Sequence, residues 1–165
     1  MQFSKDSFYI ALRTRLAVVN PGRTVILQGV VRPAVYVVEN EPLTAAAPTT
    51  ECFAISFGGA HAVPEMSGAK RPMIVLDCEI AYRTTGSAAN LSTDRGRTLA
   101  ALDLELLQMC APPSVAKQNY SVTPNVALGT QILWQRPLLG AVQQVGDELR
   151  RVAKTTVFFY PEMDF

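Results

Sequence analysis

The sequence predicts a single α+β domain: a largely antiparallel, or mixed, β-sheet with an N-terminal helix and a second helix packed on the sheet. Three observations carry that reading. Strand-like runs come in groups rather than alternating with helical stretches, which argues against a doubly wound α/β order. Met73–Arg83 alternates with period 2, as a strand with one buried face does. Two stretches, Ser4–Val19 and the segment that opens at Asp94, place apolar residues at helical spacing. No repeat, heptad pattern or low-complexity tail divides residues 1–165, so the chain reads as one domain.

In the first helix, Phe8, Leu12, Leu16 and Val19 share a face, with Lys5, Arg13 and Arg15 elsewhere. Ser4 is the expected N-cap, and Asn20-Pro21-Gly22 stops the helix. Two β-branched runs follow, Thr24–Val31 and Pro33–Glu39, with Pro33 suited to a strand edge or first position. Asn40–Thr50 is a small, proline-bearing loop, and Cys52–Phe57 is a short strand. Gly58–Pro72 is the longest stretch without a pattern, and its length points to a functional or disordered loop rather than a simple turn.

The central unit runs from Met73 to Cys110. In its strand, Ile74, Leu76, Cys78, Ile80 and Tyr82 alternate with Met73, Val75, Asp77, Glu79, Ala81 and Arg83. After the small-residue loop Gly86–Asn90, Ser92, Thr93 or Asp94 can cap a helix, and Asp94 suits its positive end. Leu99, Leu102, Leu106 and Met109 form its apolar stripe, and Ala111-Pro112-Pro113 ends it. Pro113–Gly129 reads as a second poorly patterned connection, with Tyr120 and Val122 as its strand-forming residues. Thr130–Leu139 is a strand holding the only tryptophan, Trp134; Gly140–Glu148 is a loop; Arg150–Tyr160 is a last strand stopped by Pro161.

Composition narrows the function classes. The chain is 48% hydrophobic and only 18% charged, which suggests apolar surface buried against a partner. Its 15 basic and 14 acidic residues leave a net charge of +1, too little for a strong nucleic-acid field. No apolar run approaches the roughly 18 residues that would span a bilayer. The charged N-terminus MQFSKDSFYIALR does not read as a secretory signal. Cys52, Cys78 and Cys110 are odd in number and contain no C-x-x-C pair, so they read as core filler in a reducing cytoplasm rather than a disulfide or zinc framework.

Candidate chemistry is sparse. His61 is the only histidine, and no nucleophile can be placed beside it, so it reads as a solvated loop residue. Asp77 and Glu79 share a strand face about 7 Å apart. Paired carboxylates can do acid–base work or hold a divalent cation. Here the simpler expectation is a solvated or subunit-facing surface. Arg95 and Arg97 open the second helix, where a phosphate could sit, but the phosphate-loop and dinucleotide patterns are absent. Both are expected to pair with acidic groups of the same or a neighbouring subunit. Asp103 is expected at the exposed margin of its helix, and Arg150-Arg151 is too small for a nucleic-acid patch. No residue is assigned to catalysis, to a cofactor or to a metal, and the expectation is a protein that is not an enzyme.

The stretches SKDSFYIALRTRL, MIVLDCEIAYRTTG, DRGRTLAALDLELL and VFFYPE, in that order, resemble the tail terminator proteins of long-tailed bacteriophages, the lambda tail terminator and its relatives. The resemblance covers most of the chain and rests on element order rather than on a motif. It implies an N-terminal helix, a run of antiparallel strands, a helix across the sheet and closing strands. It further implies a structural virion protein of the tail and neck, assembled in the host cytoplasm. Such a protein forms a homo-oligomeric, hexameric ring that caps the tail tube, stops its polymerisation and joins the tail to the head. Its partners would be the tail tube protein and head-completion or connector proteins, with DNA passing non-specifically through the lumen, and neither membrane nor cofactor involved. On that reading Asp77, Glu79, Arg95 and Arg97 are candidates for the subunit interface. His61, Glu65, Lys70, Arg71 and Asn90, in Gly58–Pro72 and Ser87–Leu91, are candidates to line the lumen or touch the tube. The alternatives are another head–tail joining or tube protein, or a small metal-assisted enzyme using Asp77 and Glu79.

Overall fold

A computed structural model describes residues 1–41, 50–63, 71–86 and 93–162. It opens with α1 (Gln2–Val19), which buries Phe8, Ala11, Leu12 and Leu16. Met1, not Ser4, occupies the N-cap position. Ser4 lies inside the helix, fully buried, and its hydroxyl donates to Glu162 at 3.1 Å. The N-terminal ammonium pairs with the same carboxylate, so the helix start is tied to the end of the last strand rather than capped by its own side chain.

The run Thr24–Val31, expected as one strand, is folded in half. β1 (Thr24–Leu27) and β2 (Val30–Pro33) form a hairpin closed by Gln28 and Gly29, at φ 51° and 76°. Two successive left-handed residues make the turn whose twist suits a two-residue hairpin. Gly29 adopts that conformation at no steric cost. The next run is also interrupted: β3 (Val35–Val37) gives way to a 3-10 turn at Val38–Asn40.

The remaining elements are β4 (Phe53–Ala62), β5 (Ile74–Thr84), α2 (Asp94–Met109), β6 (Ser114–Asn119), β7 (Val126–Trp134), β8 (Leu138–Leu139), β9 (Gln143–Val145) and β10 (Glu148–Phe159). The main sheet has the order β3-β4-β5-β10-β7-β6, with β8 and β9 also on β10. Only β3 and β4 run parallel; every other pair is antiparallel. The fold is therefore α+β, with two helices and a mixed, mainly antiparallel sheet.

Several boundaries differ from expectation because pairing partners distant in sequence extend or create strands. Gly58–Ala62 continues β4, with a bulge between Phe57 and Ala60, so this part of the expected loop is strand. Residues 64–70 lie outside those described. Ser114–Asn119 pairs with β7, whereas Tyr120 and Val122 stand outside any strand. Within the expected loop Gly140–Glu148, β9 forms a hairpin with β10, Val145 facing Glu148 across Gly146-Asp147.

β5 and β10 form the middle of the sheet and pair continuously from Ile74↔Phe159 to Thr84↔Leu149. One face buries Leu76, Cys78, Ile80, Tyr82, Ala153, Thr155, Val157 and Phe159. Both helices cover that face. The α2 stripe of Leu99, Leu102, Leu106 and Met109 is buried as its spacing predicts. From α1, Phe8 meets Trp134 edge to face at 5.2 Å between ring centres. Thr93 holds the N-cap position of α2 but makes no side-chain cap bond, leaving Asp94 as the acidic group of its first turn. Cys52, Cys78 and Cys110 are free and buried, and burial pushes the Cys110 thiol up to about 12.

Two polar clusters fix how these layers meet. Arg15 donates to the carbonyls of Met109 (3.3 Å), Pro112 (2.7 Å) and Ser114 (2.9 Å) and lies over the Trp134 ring. One guanidinium thus satisfies the end of α2 and the start of the edge strand β6. At the other end of α1, Arg23 binds Glu105 through two nitrogens, at 2.7 and 2.9 Å, and Glu51 at 2.7 Å. Asn20 and Thr84 donate to Glu105 and Glu51 respectively.

Removing one partner of a buried pair strands the other charge, which costs about 3–5 kcal/mol. Glu105→Ala is therefore expected to lower unfolding stability by that order in urea titration, well beyond what an exposed helix substitution such as Glu→Ala would cost. A loss below about 1 kcal/mol would show that Arg23 and Glu105 are not coupled.

Candidate interaction surface

The side chains of β5 and β10 that do not enter the core face away from both helices. On this outer face Asp77 lies opposite Thr156, Glu79 opposite Lys154, Ala81 opposite Val152 and Arg83 opposite Arg150. Glu79 and Lys154 form an exposed ion pair at 3.2 Å. Such a pair contributes little stability in water. Asp77 is exposed and has no ion-pair partner among the described residues. The two carboxylates therefore share a face, as their spacing predicts, but Lys154 engages only one of them. Among the described residues no group of three or more His, Cys, Asp or Glu side chains gathers where it could hold a metal ion.

Two shallow clefts mark this face. One, of about 300 Å³, is lined by Asp77, Glu79, Gln135, Leu138, Lys154 and Thr156. The other, of about 450 Å³, is lined by Tyr36, Ala54, Ala81, Arg83, Gln143 and Arg150, among others. At its rim Glu148 accepts from Arg150 at 2.6 Å and from Arg83 at 3.0 Å. Those contacts, the Arg150 hydrogen bond first, hold the Glu148 carboxyl below the usual carboxylate range. One carboxylate thus balances two guanidinium groups, and both clefts are polar basins in an otherwise apolar-to-neutral sheet face. Leu133, Leu138 and Val145 add exposed aliphatic surface to it.

Arg95 and Arg97 lie elsewhere, in the first turn of α2 on the helix side. Arg95 reaches Asp147 at 3.6 Å, and its chain packs against Gly86, where a Cβ would come within 2.7 Å of Arg95 Cγ. Arg97 is exposed and has no ion pair among the described residues. Within one chain, then, Asp77 and Glu79 do not meet Arg95 and Arg97; the sheet stands between them.

His61 is exposed but sits in β4 opposite Val75, not in a loop, and Arg71 is exposed just before β5. Glu65, Lys70 and Asn90, with the rest of Ser87–Leu91, lie outside the described residues. Asp103, expected at an exposed margin, is largely enclosed: the Tyr82 hydroxyl donates to it at 2.5 Å and Arg151 pairs with it at 3.5 Å. Arg150 and Arg151 are thus separated by the strand period, one serving the outer face and one the core side.

Sequence reasoning missed a second surface, on the helix side. The β1–β2 hairpin buries Val25 and Leu27 but exposes Ile26, Val30 and Val31. Beside it, Arg13 stacks on Tyr9 and faces a cleft of about 490 Å³ lined by Leu27, Gln28, Val30, Val31 and Arg32. The available signal was Gln28-Gly29, a two-residue turn in a β-branched run that then has too many apolar residues for one buried face. No protein-family model matches the chain, and no curated protein matches it.

The enclosure of Tyr82 sets a pH dependence. Burial, then the bond to Asp103, raises its phenol pKa above the ordinary value of about 10. The folded state keeps a proton that the unfolded chain releases. This contribution to stability is complete below about pH 10 and is lost as the pH rises beyond it. Urea midpoints measured from about pH 8 to pH 11 are expected to fall steeply above 10, and Tyr82→Phe should flatten that fall. An equal slope in the variant would assign the loss to other groups.

Proposed function

We propose that this chain is a structural subunit of the phage tail terminator kind: a virion protein that assembles into a ring on the end of the tail tube, halts its growth and receives the head-completion proteins. The observation that supports this reading is the element order around a one-sided sheet. An N-terminal helix precedes the strands, a second helix crosses the same face, and closing strands complete the sheet. The other face is left to be covered from outside. Fold-level likeness is by itself a weak warrant for function. The physical requirements of a ring add to it. Head-to-tail assembly needs two different patches on each subunit, and this chain exposes one on each side of its sheet. A net charge of +1 suits a lumen that DNA traverses without being held. Among the described residues no helix is long and apolar enough to cross a membrane, and the proposed location is the tail–head junction of the virion.

A specific observation favours a second reading, that of a tail tube subunit. β3 pairs with β4 only at Phe53–Ile55, so Ser56–Ala62 has no described strand on that side. An open strand edge is a template for adding further strands. Electron microscopy and sedimentation of the purified protein separate the two. Discrete rings of uniform mass are the expected result for a terminator. Long tubes formed by the protein alone would establish the tube reading instead, and a monomer at every concentration, with or without tail tubes, would overturn both.

A further inference from the structure

The β1–β2 hairpin carries an apolar surface that its own chain does not cover. Ile26 and Val31 face each other across the two strands and are 68% and 64% exposed; Val30, beside the turn, is 60% exposed. Val25 and Leu27 anchor the same hairpin in the core, so this surface is held in place rather than loosely tethered. Arg32, at its edge, is neutralised by Glu41. Arg13 is not: it touches Tyr9 and has no acidic partner among the described residues.

The outer sheet face is the counterpart. Leu138 is 74% exposed at the rim of the cleft that holds Asp77. Glu79 in that cleft is neutralised by Lys154, and Asp77 has no cation beside it among the described residues. Each surface therefore combines protruding aliphatic side chains with one uncompensated charge, and the two charges are opposite. They cannot meet within a chain. The hairpin packs with the helices on one side of the sheet, while Asp77 and Leu138 are on the other.

We propose that these surfaces dock on each other between neighbouring copies, the hairpin of one chain on the Asp77–Leu138 face of the next, with Arg13 and Asp77 paired across the contact. This rests on the ring reading and names its seam. Because the two patches differ, the contact is head to tail, and its repetition closes a ring when the rotation allows. Removing aliphatic surface from water supplies the attraction. The charge pair fixes register and rejects wrong dockings.

The test uses the full chain, with sedimentation velocity and negative-stain microscopy for assembly and circular dichroism for the fold. Val31→Asp and Asp77→Arg each alter an exposed position and should each lose the ring while keeping the fold. Mixed in equal amounts, they should give a one-to-one dimer and no ring. The intact hairpin of the Asp77→Arg chain can dock on the intact face of the Val31→Asp chain, and no second contact is available. Arg13→Glu should also lose the ring, and Arg13→Glu combined with Asp77→Arg should regain it, whereas Arg97→Glu should leave it intact. Rings formed by Val31→Asp, or a mixture that remains monomeric, would overturn this seam while leaving the ring reading in place. Restoration of Asp77→Arg by Arg97→Glu in place of Arg13→Glu would move the seam to the start of α2. A wild-type chain that never forms rings would overturn the ring reading itself.

Discussion

The buried contact between Arg23 and Glu105 is the constraint on which the arrangement of layers depends. Arg23 lies just before β1, Glu105 in the middle of α2, Glu51 just before β4, and Thr84 at the end of β5. Their hydrogen bonds draw four separate parts of the chain to one point. Two charges taken out of water are tolerated only when each finds its partner in good geometry. The forked guanidinium supplies that geometry, and its hydrogen bonds to Glu105 raise the Arg23 pKa. An alternative placement of α2, or of the hairpin, would leave Glu105 or Arg23 buried alone. The pair therefore selects one packing among several that the apolar stripes would accept.

Arg15 plays a related part at the opposite end of the core. Its three carbonyl contacts finish α2 and satisfy the beginning of β6, and Ser7 accepts from the backbone of Gln118 further along the same strand. The β6 edge is thus closed by side chains of α1. Nothing comparable among the described residues closes the distal half of β4 or covers the outer face of β5 and β10. All the groups that finish the fold lie on the helix side. This asymmetry leaves the other side, with its aliphatic side chains and uncompensated acid, available to a partner.

The functional reading follows from that asymmetry more than from any cluster of reactive groups. Asp77 and Glu79, the pair most suggestive of chemistry, divide their roles, since Lys154 neutralises Glu79 and Asp77 stands free of a cation among the described residues. Arg95 is committed to Asp147 within the chain. What remains is a surface of mixed aliphatic and charged character on each side of the sheet, a composition found at contacts between proteins. A chain with only 18% charged residues has few other means of keeping so much apolar surface from water.

Local periodicity was legible without a structure because it depends only on neighbours in sequence. Ile74 to Tyr82 and Leu99 to Met109 disclose their buried faces by spacing alone, and so did the free, buried cysteines by their apolar surroundings. Glu105 could have been noticed, since it falls three residues after Leu102 on the buried stripe, where a carboxylate requires a partner. That the partner is Arg23 could not, because 82 residues separate them and no local rule selects one arginine from several. The same holds for Asp103, enclosed by Tyr82 and Arg151, and for Gly58–Ala62, which become strand only because β5 runs beside them. The sequence by itself determined the fold class, the two helices and the central strand, since each rests on a pattern of period 2 or 3.6. Tertiary structure alone decided the strand order, the buried ion pair and which apolar residues stay outside. Those depend on which surfaces meet, and Ile26 and Val31 are exposed only because Val25 and Leu27 reach the core first.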